Sequence, residues 1–267
     1  MIVLILIYLC TGLVSGFLAG FFGIGGGIIV VPMLHDVFLY LNFPSQEIMH
    51  LAIGTSFSIM MFATISAVRS YHQRDLIDWS LFYKFTPGLL LGVLLGTYIG
   101  RYLSSYWLQI MFAVFLLGVA FKIGYATKAK SHKQRLPHPY AFHGVAVGTG
   151  VLSGFFGIGG GSMIVPYFVS CHLSMYRATA TSCVCGFMVA VFGTISMMAT
   201  GWSISSLSGL PWGVTGFVYW PATLCMLITS VTGASWGAKI AIGLPEERLK
   251  RWFMVLLVVI AVDLLLH

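Results

Sequence analysis

Charge is what this chain has least of. Only 8% of its 267 residues are Asp, Glu, Lys or Arg, against roughly 25% in a soluble domain. Acidic residues are rarest, at 7 against 14 basic ones. So few charges exclude an ordinary globular enzyme and any disordered regulator. The 5 cysteines (Cys10, Cys171, Cys183, Cys185 and Cys225) show no CxxC or metal-ligand spacing, so they are expected to be buried, reduced thiols. The 8 histidines form no HExxH pattern, and no Ser/His/Asp or Cys/His arrangement can be argued from their order. No catalytic residue, metal site or cofactor is expected. Glycine is plentiful, at 31 residues, but it follows no strict period, which excludes collagen.

Apolar residues make up 58% of the chain, with a mean hydropathy of +0.95. They fall in stretches of helical length rather than in the two-residue alternation of a membrane β-barrel. A span needs about 20 apolar residues. Candidates run over residues 46–68, 80–100, 104–124, 177–200, 213–238 and 248–266. Two further apolar blocks, 1–42 and 139–173, are each interrupted by a glycine cluster. The first block has no basic residues ahead of it and no small-residue cleavage site, so it does not read as a signal peptide. The expected fold is an all-α polytopic membrane protein. The basic residues lie between apolar blocks, without base-stacking aromatics, so they mark cytoplasmic loops and not a nucleic-acid partner.

The chain is duplicated. Gly16 to Pro32 reads GFLAGFFGIGGGIIVVP and Gly150 to Pro166 reads GVLSGFFGIGGGSMIVP, identical at twelve of 17 positions. Thr55-Ser56 recurs as Thr181-Ser182. The halves run over 1–124 and 139–267, joined by a basic linker at 125–138 that is expected to be cytoplasmic. Charge distinguishes parallel from inverted repeats. With four full crossings per half, the basic residues divide eight against six. If each glycine block enters and returns, leaving three transmembrane helices per half, all but Arg101 fall on one side. The positive-inside rule favours the second arrangement. It implies inverted-topology repeats, each with a Gly-interrupted, broken or re-entrant helix followed by three spans.

The four-glycine clusters cannot continue a stable helix, since each Gly costs about 1 kcal/mol relative to Ala. A break at membrane depth is tolerated where it lines a cavity or is buried in protein. The half-helix that follows then presents free N–H groups and a positive dipole end, suited to an anion. Gly25, Gly26 and Gly27, with Gly159, Gly160, Gly161 and Ser162, are therefore candidate substrate-binding residues. The hydroxyls of Thr55, Ser56, Thr181 and Ser182 are candidates too, with helix back-bonding as the alternative use. Arg177 and His50 stand at helix starts, where surface roles are expected. Gly92, Gly96 and Gly100 read as a helix-packing face. No GxGxxG or ATP site is present.

The repeated GFFGIGGG with its following Val-Pro resembles the TauE/SafE-type sulfite exporter (TSUP) family. So do His50-x-Ala52-x-Gly54-Thr55-Ser56, Arg177-Ala178-x-Ala180-Thr181-Ser182, Asp78-Trp79 and the stretch from Gly233 to Phe253. The resemblance covers essentially the whole chain. It implies a secondary transporter in the bacterial inner membrane, moving sulfite, sulfonates or related organosulfur anions by alternating access. A small-anion channel using the same broken helices is the alternative. The implied partners are a small sulfur-containing anion and the lipid bilayer, with protons and a homo-oligomer compatible.

Overall fold

The computed structural model describes residues 2–22, 26–125, 139–171, 173–202, 213–241 and 246–266. In lipid the backbone must satisfy its own hydrogen bonds, and these apolar stretches do so as helices. They are α1 (Ile2–Phe22), α2 (Gly27–Tyr40), α3 (Ile48–Gln73), α4 (Trp79–Gly100) and α5 (Ser105–Tyr125). After the linker come α6 (Pro139–Phe156), α7 (Gly161–Ser170), α8 (Met175–Gly201), α9 (Trp220–Ala241) and α10 (Glu246–Leu266). Among the described residues, α3, α4 and α8 are long and apolar enough to cross a membrane by length and composition.

One expected span is corrected. The apolar stretch at 213–238 does not begin as a helix: β1 (Val214–Thr215) and β2 (Val218–Tyr219) form a hairpin first. Gly216, at φ +57°, opens its two-residue turn, the backbone geometry that suits the strand twist.

Two helix pairs are fastened by glycine. α6 packs along α4, with Gly150 against the Leu89 carbonyl and Gly92 against the Val147 carbonyl. A Cβ on Gly154 would lie 2.7 Å from the Val93 carbonyl oxygen. In the same manner α1 packs along α9, with Gly16 against Ser230 and Gly233 against the Leu13 carbonyl. Contact positions rise together on both helices, so each pair is parallel. Small residues permit this close backbone approach, which dispersion and weak C–H···O contacts then favour. Gly100, expected on the same face, meets only the Phe155 ring at 3.5 Å.

The central pair runs the other way. Gly54 of α3 meets Met197 of α8, and Phe57 meets Gly193, so positions rise on one helix as they fall on the other. The start of α3 lies at the end of α4, where His50 Nε2 donates to the Gly100 carbonyl (3.1 Å). The start of α8 lies at the start of α4, where the Asp78 amide donates to Thr181 Oγ1 (2.9 Å). Ring contacts bring the end of α7 back to the start of α6, with Phe168 and Phe142 both on Phe85. Tyr219 likewise touches Tyr8 of α1 and Phe38 of α2.

The outer surface is apolar, with Leu91, Val114, Ile195, Ile228 and Val259 all exposed. On α4, Trp79 and Tyr83 stand near one end and Tyr98 near the other, all exposed. Trp79 and Tyr98 are about 28 Å apart at 1.5 Å per residue, close to a bilayer's hydrocarbon thickness. Aromatic belts at that spacing suit the two membrane interfaces. The chain is a multi-pass membrane protein.

Candidate functional site

The glycine cluster of the second half ends one helix and starts another within four residues. Serine 153 closes α6, its carbonyl accepting from Gly157 N (3.0 Å) and Ile158 N (3.3 Å). Gly157 and Gly160 then take φ of +65° and +70°, conformations that cost an L-residue roughly 1–2 kcal/mol. Gly160 caps α7, its carbonyl accepting from Met163 N and Ile164 N (3.0 and 2.8 Å). The first amides of α7 therefore have no carbonyl of their own helix to bond, and they carry the positive end of its dipole.

In the first half, α2 starts after Gly26, whose carbonyl accepts from Ile29 N and Val30 N (3.1 and 2.8 Å). Gly26 itself is helical, at φ −66°, and a Cβ there would meet only Val30 Cγ2 at 3.6 Å. Gly27 is where glycine is required: a Cβ would lie 2.6 Å from the Gly157 carbonyl oxygen and 2.9 Å from Ile158 Cα. The start of α2 thus presses on the interrupted segment of the other half.

Two long helices complete the enclosure. From α3, Ser56 Oγ donates to the Gly157 carbonyl (3.1 Å), and the Met60 side chain reaches both Gly27 and Gly159. From α8, Gly186 packs against the Gly159 carbonyl. Seven of the expected residues are Gly26, Gly27, Ser56, Gly159, Gly160, Gly161 and Ser162. They lie on or directly beside this meeting point, α7 beginning at Gly161. Gly25 lies outside the described residues.

The remaining hydroxyls divide. Thr55 and Thr181 are fully buried, and each accepts a tertiary hydrogen bond at a helix end. Thr55 Oγ1 takes it from the Tyr219 amide (3.1 Å) and Thr181 Oγ1 from the Asp78 amide. Both therefore fasten one element to another. Ser182 is 2% exposed and its hydroxyl has no partner, and the shielded hydroxyl of Ser162 has none either.

Sequence reasoning missed Ser153, also 2% exposed and unpartnered, whose Oγ lies 3.2 Å from where a Cβ on Gly160 would sit. The signal was available, because the first half has Ala19 at the matching place.

Two further expectations change. His50 is not at the surface but 3% exposed, stacked on Phe217 and bonded to the last carbonyl of α4, while Arg177 is exposed. Cys10 is exposed on α1, whereas Cys171 and Cys185 are buried. Among the described residues no three His, Cys, Asp or Glu side chains are grouped so as to hold a metal ion. The meeting point is built from backbone groups, hydroxyls and one thioether, and its unengaged hydroxyls and amides are groups that can donate hydrogen bonds.

The sequence model of the family described as Sulfite exporter TauE/SafE matches residues 8–264. A probable membrane transporter protein of Haemophilus influenzae is 31% identical over the full length of both chains. One of Methanocaldococcus jannaschii is 28% identical over 90% of this chain and 87% of its own. The Bacillus subtilis probable membrane transporter protein YunE is 28% identical over 73% of this chain and 78% of its own. No solved structure matches significantly.

Proposed function

The chain belongs to the TauE/SafE sulfite exporter family, and from that premise we propose a secondary transporter for sulfite or related sulfur-containing anions, among them sulfonates and other organosulfur compounds. It acts in the bacterial inner membrane by alternating access. The relatives named above are described as probable membrane transporter proteins, which fits a carrier and not an enzyme. The observation that carries the reading is the contact between Gly27 and Gly157. It brings the two glycine breaks, far apart in sequence, to one place inside the molecule, where transporters built from repeats hold their substrates.

Inverted-topology repeats are part of this proposal, with halves 1–124 and 139–267 joined by 125–138. The opposed directions of α3 and α8 support them. The return of α7 to the start of α6 supports a re-entrant first segment in each half. With three crossings after each return, the linker and all Lys and Arg but Arg101 share the cytoplasmic side. Gly26, Gly27 and Gly159 to Gly161 then offer backbone groups to the anion. Ser162 and Ser182 offer hydroxyls, while Ser56, Thr55 and Thr181 hold the surrounding segments in register.

Sulfite uptake into proteoliposomes, with sulfate, thiosulfate and taurine as competitors, tests the function. Saturable flux is expected, at rates that follow an imposed pH gradient if a proton travels with the anion. Flux without saturation would instead make the protein a channel. An absence of flux for every one of these anions would remove the substrate class.

A further inference from the structure

The two glycine breaks are nearly identical in sequence but not in chemistry. Of the five positions that differ within the duplicated 17-residue block, two exchange an apolar residue of the first half for serine in the second: Ala19 for Ser153 and Ile28 for Ser162. A third serine, Ser182, matches Ser56 of the first half. Ser56 spends its hydroxyl on the Gly157 carbonyl, whereas Ser182 has no such partner. Among the described residues the shielded serine hydroxyls without partners are thus Ser153, Ser162 and Ser182, all in the second half.

They also share a place. Ser153 stands in the last turn of α6 and Ser162 in the first turn of α7, on either side of the break. Ser153 Oγ points to the Gly160 cap. Ser182 lies one turn before Gly186, which packs on Gly159, and residues four apart share a helix face. A buried hydroxyl without a partner is destabilising and is rare in a folded protein. Three around one helix N-terminus are accounted for by a ligand that accepts hydrogen bonds. At the first break, by contrast, Ile28 is fully buried and the start of α2 lies against the Gly157 carbonyl.

We infer that the second break alone holds the substrate. The sulfite or sulfonate oxygens accept hydrogen bonds from Ser153, Ser162 and Ser182 and from the first amides of α7, while the first break is a structural buttress. This rests on the transporter reading above and narrows its site, taking Gly26 and Gly27 out of contact with the anion. It makes Ser153 a substrate-binding residue, and it gives one anion per chain, displaced from the pseudo-symmetric centre.

The test compares wild type with Ser153→Ala, Ser162→Ala, Ser182→Ala and the near-isosteric Ser153→Cys. Each is purified for sulfite uptake in proteoliposomes and for thermal unfolding with and without sulfite. Each substitution is expected to raise the sulfite KM about tenfold, the loss of one hydrogen bond to a charged group. Sulfite should lose its protection against unfolding, while the ligand-free midpoint stays at or above that of wild type. An unchanged KM, or a lowered ligand-free midpoint in both Ser153 variants, would overturn the inference and leave the transporter reading standing. A wild type that carries none of the anions would remove that reading, and this inference with it.

Discussion

Gly148 and Gly154 lie on the same helix, six residues apart, and alanine at each should act with opposite sign. A Cβ on Gly148 meets nothing within 4 Å. There the substitution only trades glycine's conformational freedom for alanine, a gain of about 0.5–1 kcal/mol. A Cβ on Gly154 would lie 2.7 Å from the Val93 carbonyl oxygen and 3.0 Å from the Thr97 amide nitrogen. Both obstacles are backbone, so neither can rotate away. Ordinary contact begins at 3.4 Å, and α4 and α6 must part by about 0.7 Å in an interior packed as densely as a crystal. Overpacking of this kind costs about 1–3 kcal/mol, more than the propensity gain. Unfolding of the purified protein, followed by helical circular dichroism in one detergent, should place Gly148→Ala above wild type and Gly154→Ala below it. Gly154 adjoins Ser153, so the same separation should also lower sulfite uptake. Equal midpoints for the two variants would refute the argument that backbone contact, and not helix propensity, fixes these glycines.

The remaining expectations concern conformation, fastening and orientation. Gly160→Ala should lower stability by roughly 1–2 kcal/mol because its φ is left-handed, whereas Gly26→Ala, at a helical φ with room for a methyl group, should be neutral or slightly stabilising in the same unfolding assay. Thr55→Val orphans the buried Tyr219 amide and should cost about 1–3 kcal/mol, whereas Thr181→Val frees the partly buried Asp78 amide and should cost less; the two bonds share no partner, so a double variant should show the sum. In a background without native cysteines, Lys130→Cys and Arg177→Cys should both react with a membrane-impermeant thiol reagent only from the cytoplasmic side. Reaction of the two from opposite sides, as four full crossings per half require, would remove the inverted topology.

Much of the fold is written in hydropathy and glycine. Helix-length apolar stretches mark most of the helices after the glycine blocks to within about five residues, because lipid leaves the backbone no other local solution. The stretch from 213 misled for the same reason. Val214 to Trp220 is as apolar as a span, and only the glycines at 213 and 216 signal that the chain turns there. At the site, the pattern of repeated glycines located the interrupted segments. It did not tell which hydroxyls are already engaged. Thr55 and Ser56 are neighbours of the same chemical type, yet one accepts from an amide across the molecule and the other donates to a carbonyl. Such partners come from segments more than 100 residues away and leave no local trace. Ser153 stands where the first half has Ala19, and only the folded chain shows that its hydroxyl is shielded and without a partner.

The glycine-fastened pairs impose a condition on biosynthesis. α1 is made well before its close partner α9, with seven helices between them; α4 must likewise wait for α6 beyond the linker. Until those partners enter the bilayer, Gly12, Gly16, Gly92 and Gly96 offer lipid a row of bare backbone. Neither half can settle before the other arrives, since each lends a helix to its counterpart's seam. Non-local closure of this sort slows folding. A ribosome halted after the linker would leave the five helices of the first half with two of their tightest contacts unmade.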